Sequence, residues 1–114
     1  MLKIEDLLVK LNANLHVGSK DSYVPKQAFG SDLMSDVLTL EDDDILLITG
    51  LANPQTIRTA EMADISLIII VRGKEVTEEM KDLAKENEIT ILSSPFSLFK
   101  VCGVLYQNGL KPIF

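Results

Sequence analysis

One cysteine, one histidine and no tryptophan occur in the 114 residues, and these scarcities remove whole classes of protein. Cys102 alone forms no internal disulfide, and with His16 it makes too small a ligand set for a structural zinc site, so no metal is expected. The longest unbroken apolar run is the five residues Leu67 to Val71, far short of the roughly 20 needed to cross a bilayer. No membrane segment is expected. Met1 leads straight into Lys3-Ile4-Glu5-Asp6-Leu7-Leu8, without the apolar centre and small-residue cleavage site of a signal peptide, which points to the cytoplasm. Basic residues are outnumbered, 11 Lys and Arg against 17 Asp and Glu for a net charge of −6, and they are scattered. A phosphate backbone selects clustered cations, so nucleic acid is not an expected partner.

The known chemical motifs are missing too. There is no Gly-x-Gly-x-x-Gly, no Gly-x-x-x-x-Gly-Lys-Ser/Thr and no Gly-x-Ser-x-Gly elbow. The acidic run Glu41-Asp42-Asp43-Asp44 lacks the ligand intervals and central glycine of a calcium loop and reads as a solvated turn. No nucleophile, base and orienting group stand together, so no catalytic residue, no cofactor and no enzymatic activity are expected.

Aliphatic residues are plentiful: 17 Leu, 11 Ile and 8 Val, enough for one compact domain spanning residues 1–114. Ile4, Leu7, Leu8 and Leu11 share one helical face and predict a helix over residues 3–12. Leu15-His16-Val17 is a short extended candidate. Tyr23 to Phe29 is a second, and because its Pro25 has no amide to donate, it is expected at a sheet edge. A short helix follows at residues 31–38, with Ser31 as its N-cap.

Three continuous aliphatic runs then begin at positions 45, 67 and 89. Runs without alternation are what strands covered on both faces look like. Each is followed by helix-length sequence. Asn53-Pro54, Thr77 and Ser94-Pro95 supply opening caps, and Asn108-Gly109 a stop. The fold class implied is α/β, a mainly parallel sheet with helices on both faces. Leu110 to Phe114 is a candidate edge strand.

Parallel sheets bind ligands outside the carboxyl ends of their strands, where loop amides and helix N-termini converge. That rule selects Thr49, Gly50 and Asn53 after the first long strand, Arg72 and Gly73 after the second, and Ser93 and Ser94 after the third. Hydroxyls, amides and one cation suit a small anionic ligand. A second polar cluster, Gly30-Ser31-Asp32 with Ser35-Asp36, places two carboxylates four residues apart. Like charges at that spacing call for a compensating donor, from Arg72, a ligand or a partner. Cys102 falls on the apolar register of the last helix and reads as a packed thiol.

The stretch Ala28-Phe29-Gly30-Ser31-Asp32-Leu33-Met34-Ser35-Asp36-Val37 resembles the Gly-x-x-Ser-Asp-Leu-Leu-Ser-Asp-Val run of stand-alone members of the DRTGG domain family. Ile48-Thr49-Gly50, Ile68 to Val71 with Arg72-Gly73, and Ile91-Leu92-Ser93-Ser94 extend the resemblance over residues 29–106. At the family's Asp-Arg position this chain has Gly50-Leu51-Ala52, and at its Thr-Gly-Gly position Val71-Arg72-Gly73. The resemblance implies a fold related to the N-terminal domain of HPr kinase/phosphorylase. It also implies a regulatory or dimerising module without catalytic activity of its own. Such modules occur beside CBS domains in regulated pyrophosphatases and in some phosphotransacetylases, and stand-alone ones often lie near iron-hydrogenase and signalling-kinase components.

Two functions are therefore expected from the sequence. One is a regulatory domain sensing a small anionic ligand, such as a nucleotide, through Thr49, Gly50, Asn53, Arg72, Gly73, Ser93 and Ser94. The other is a protein-interaction or dimerisation module. A two-fold homodimer is expected through Phe29, Leu33 and Met34, rimmed by Ser31, Asp32 and Asp36.

Overall fold

A computed structural model describes all residues 1–114. Its elements are α1 (Ile4–Lys10), β1 (Asn14–Val17), β2 (Gln27–Gly30), α2 (Met34–Val37), β3 (Ile45–Thr49), α3 (Pro54–Met62), β4 (Leu67–Ile70), α4 (Glu78–Glu86), β5 (Thr90–Ser93), α5 (Leu98–Gln107) and β6 (Lys111–Pro112). The strands form one six-stranded sheet in the order β1-β5-β4-β3-β2-β6. β2, β3, β4 and β5 run parallel to one another, β6 is parallel to β2, and β1 alone is antiparallel, against β5.

The aliphatic runs explain the layers. Along β3 and β4, Ile45, Leu47, Ile68 and Ile70 join a core containing Val37, Ile57, Ala60, Met80 and Ala84 from α2, α3 and α4. The alternate residues Leu46, Ile48, Leu67 and Ile69 join a second core with Ile4, Leu7, Val101 and Leu105 from α1 and α5. A strand needs apolar residues on both faces only when both are covered, which is why these runs do not alternate. Successive parallel strands advancing from β2 to β5 keep their right-handed crossover helices on one face. The chain's return from β5 to β6 carries α5 across the other.

Asn53 and Thr77 cap α3 and α4 as their positions predict, accepting from Thr56 N and Met80 N. Other expectations shift. β2 begins at Gln27, beyond Pro25, so the proline needs no amide and the strand is interior, with β6 outside it. Ser31 does not cap α2. Its hydroxyl accepts from Leu33 N at 3.0 Å, and the extended Leu33 precedes the helix without a side-chain cap. α5 opens at Ser97, whose hydroxyl accepts from Lys100 N, and not at Ser94-Pro95. Ser94 caps no helix: its hydroxyl donates to the carbonyl of Leu11 and accepts from Phe96 N, in the turn ahead of α5.

Candidate functional site

The carboxyl ends of β2 to β5 lie side by side and are stitched by backbone hydrogen bonds. Ser31 N donates to Ile48 O, Val71 N to Thr49 O, Arg72 N to Phe96 O and Gly73 N to Ser94 O, all within 2.7–3.0 Å. The seven residues selected from the sequence all fall on this edge, in two groups that differ in how much of their polarity is free.

The Thr49 hydroxyl, the Gly50 amide and the Asn53 side-chain oxygen are all engaged by the chain itself. The buried Thr49 hydroxyl donates to Asp32 Oδ1 at 2.9 Å, and Gly50 N donates to the same oxygen at 2.7 Å. Thr49 Oγ1 also accepts from Leu51 N at 3.2 Å. Asn53 Oδ1 is taken by Thr56, through both its amide and its hydroxyl. The donors that compensate Asp32 are therefore Thr49 and Gly50. Asp36 belongs to α2 and is exposed.

Gly73, Ser93 and Ser94 of the group at β4 and β5 line, with Lys74, Asn12, Asn14 and Pro95, an open polar cleft of about 280 Å³; Arg72, which precedes Gly73 on the same loop, stands beside the lining and not in it. Ser94 is buried and braces the wall, its hydroxyl donating to Leu11 O at 2.7 Å and accepting from Phe96 N at 3.1 Å. Ser93 Oγ is hydrogen-bonded to His16 Nε2 at 2.7 Å. The volume sits at the small end of ligand sites. Asn12, Asn14 and Lys74 were not selected from the sequence. Lys74 stands two residues after Arg72, but Asn12 and Asn14 reach the edge only because β1 runs antiparallel to β5, a pairing no local signal announces.

Arg72 and Asp44 have a backbone conformation that no helix end explains. Five non-glycine residues have positive φ, namely Asn12, Asp44, Asp64, Arg72 and Glu88. Asn12, Asp64 and Glu88 each follow the C-cap of a helix, where the left-handed conformation is a routine terminator. Arg72, at φ 64, follows a strand and is succeeded by Gly73 at φ 67. Its guanidinium pairs with no carboxylate, nor does the Lys74 ammonium, because the single salt bridge joins Lys81 and Glu78.

His16, hydrogen-bonded to Ser93, carries a prediction. Burial holds its pKa below the ordinary value, and the Lys81 charge acts in the same direction. The neutral ring is thus favoured in the folded chain, and the unfolded ring takes up its proton first as pH falls below about 6.5. His16's contribution to stability is present above that pH and is lost as pH drops through the lower folded value. Urea midpoints compared at mildly alkaline and mildly acidic pH should fall less for His16→Gln than for the unmodified chain. An equal fall in both would remove His16 as the cause.

A family model described as the DRTGG domain matches residues 6–107, so the resemblance reaches back through α1 and β1. No curated protein sequence matches the chain. Among solved structures, the chain is similar to the CBS and DRTGG domains of the regulatory region of Clostridium perfringens pyrophosphatase, complexed with its activator diadenosine tetraphosphate. The TM-score is 0.80 at 18% identity, with 95% of this chain and 47% of that one covered. This chain therefore spans about half the length of that structure, and what the likeness shows is the fold.

Proposed function

The chain belongs to the DRTGG domain family, and on that premise we propose that it is a non-catalytic regulatory domain that binds a small anionic ligand of the nucleotide or phosphate-ester class. The binding place is the cleft between the loop of Arg72, Gly73 and Lys74 and the loop of Ser93 and Ser94. Thr49, Gly50 and Asn53, locked by Asp32 and Thr56, form a fixed wall at the adjoining strand end. The observation that carries this reading is Arg72, an unpaired cation kept in a backbone region that costs an L-residue about 1–2 kcal/mol, at the carboxyl edge of a parallel sheet. The regulatory region of the solved pyrophosphatase is complexed with an anionic nucleotide, which supports the ligand class.

Arg72→Gly tests the reading by splitting stability from binding. Glycine takes φ 64 without strain and loses some of that gain to the entropy of the unfolded chain, so the variant should be more stable by about 0.5–1 kcal/mol. It should also bind the anion about 10–100-fold more weakly, the loss of one charge-assisted contact. Thermal unfolding with AMP, ATP, diadenosine tetraphosphate and pyrophosphate reads both. A ligand at 100 times its Kd raises the midpoint on the order of 10 °C. A flat response to all four, or a response that survives Arg72→Gly, defeats the proposal.

A second reading, a docking surface for a protein partner, is favoured at the segment from Phe29 to Asp36 by the exposure of Leu33 (56%) and of Leu38 (50%) just beyond it. Ser31 and Asp32 border that surface. Phe29 and Met34 contribute less, because both pack against the core beneath α2 and α3, Phe29 with its ring edge-on to Phe114 at 6.1 Å.

A further inference from the structure

Five asparagines occur in the chain, and three of them are spent on its own backbone. Asn53 accepts from Thr56 N, while Asn87 and Asn108 donate side-chain amides to helix carbonyls, those of Leu83 and Val104. The other two, Asn12 and Asn14, both line the polar cleft at the carboxyl ends of β4 and β5, and neither carboxamide has a partner in the chain. Local structure accounts for only part of this. Asn12 takes φ 49 just past the end of α1, which explains its backbone but leaves its side chain unused. Asn14 opens the edge strand β1, a setting in which asparagine is disfavoured.

Lys74, on the same lining, is also unspent. Its ammonium forms no ion pair, and its backbone amide donates to no group of the chain, whereas the amide before it, Gly73 N, is taken by Ser94 O. The hydroxyls of Ser93 and Ser94 are engaged by His16 and Leu11. What the cleft offers is therefore one cation with its amide and two carboxamides. None of its lining residues is acidic, in a chain with 17 Asp and Glu. The cleft at the amino ends of the same two strands is lined by Glu61, Asp64 and Glu88. Only the carboxyl end suits an anion.

We infer that this cleft reads a phosphorylated sugar and leaves any base attached to it unread. The inference rests on the anion-binding reading given above and narrows it. Lys74, with Arg72 beside the lining, supplies the positive charge for the phosphate. Each carboxamide presents an oxygen that accepts and an NH2 that donates, which matches a sugar hydroxyl, a group that does both. A nucleobase is held by stacking on an aromatic or guanidinium plane, and the lining has no aromatic side chain, with Pro95 as its only ring. The volume of about 280 Å³ falls just below the roughly 300–1,000 Å³ of sites that enclose a drug-sized molecule. The group held there is small.

Titration calorimetry of the full chain with ribose 5-phosphate, AMP, GMP and orthophosphate tests this. Ribose 5-phosphate should bind about 10–100-fold more tightly than orthophosphate, the increment of two carboxamides, and at least as tightly as either nucleotide. Asn12→Gly, which suits φ 49, and Asn14→Ala should each weaken ribose 5-phosphate about 3–10-fold and leave orthophosphate unchanged. Both residues are exposed, so the far-ultraviolet circular dichroism of either variant should match that of the unmodified chain. Binding that is lost in Arg72→Gly but treats ribose 5-phosphate and orthophosphate alike overturns this inference and leaves the anion reading standing. So does a nucleotide that binds about tenfold or more above ribose 5-phosphate, or a preference for the sugar phosphate that survives both asparagine variants. No binding of any of the four overturns both.

Discussion

Alanine at Ile68 and alanine at Ile69 are each expected to destabilise the chain by about 2–5 kcal/mol, the usual cost of emptying a buried isoleucine site. Both side chains are fully buried on the strand β4, which lies between β3 and β5. They point to opposite faces: Ile68 into the core shared with α3 and α4, Ile69 into the one shared with α1 and α5. The near equality of the two losses is the informative part. A sheet covered on one side would lose several kcal/mol at one position and little at its neighbour, because an alanine facing water leaves no cavity. Urea unfolding measures both, with the slope unchanged if the denatured state is unaffected. Either loss amounts to a large fraction of the roughly 5–15 kcal/mol that holds a domain together. A cost under about 1 kcal/mol at either residue would mean that one helical layer does not pack on β4.

The same two residues show why the fold was legible. Ile45 to Ile48 and Leu67 to Val71 are unbroken aliphatic runs with capping residues after them, so strand type, order and double coverage follow from local sequence. Placement across the sheet did not follow. Pro25 argues for an edge only if it lies inside the strand, and the strand starts two residues later. Ser94 matches a capping pattern with Pro95, yet its hydroxyl is drawn to Leu11 O, 83 residues away. The hydroxyl still accepts locally, from Phe96 N in a turn, while its proton goes to a long-range acceptor that exists only after folding.

The candidate site was legible in the same partial way. The rule about strand ends gathered seven residues on one edge of the molecule. It could not tell which of their polar groups would be consumed by the chain itself. Asn53 and Thr49 are spent on Thr56 and Asp32, whereas Arg72 is left without a carboxylate partner. Asn12 and Asn14 are brought in by β1, whose antiparallel place beside β5 depends on α1 covering the sheet.

Asp32→Ala is expected to cost about 1.5–3 kcal/mol, although the residue lies at the surface. Its Oδ1 accepts from both Thr49 Oγ1 and Gly50 N, and hydrogen bonds to a charged acceptor carry that order of net stability. The hydroxyl it serves is fully buried, so losing the carboxylate leaves a donor that water reaches only if the strand end opens. The Ser-Asp-Leu stretch thereby acts as a clasp. Its aspartate fastens the exit of β2 to the exit of β3 and so fixes the edge on which Arg72 stands. Asp32→Asn keeps an oxygen at the same place and should restore most of the loss, because the amide carbonyl accepts from both donors. Thr49→Val removes the hydroxyl with little change of shape and should cost about 1 kcal/mol or more, Leu51 N losing its acceptor as well. The double variant Asp32→Ala, Thr49→Val should be less damaged than the sum of the two by about 0.5–3 kcal/mol, since the second change removes a donor the first had orphaned. Chemical unfolding of the four proteins closes that cycle, and additive losses would show that Asp32 and Thr49 do not act as a pair.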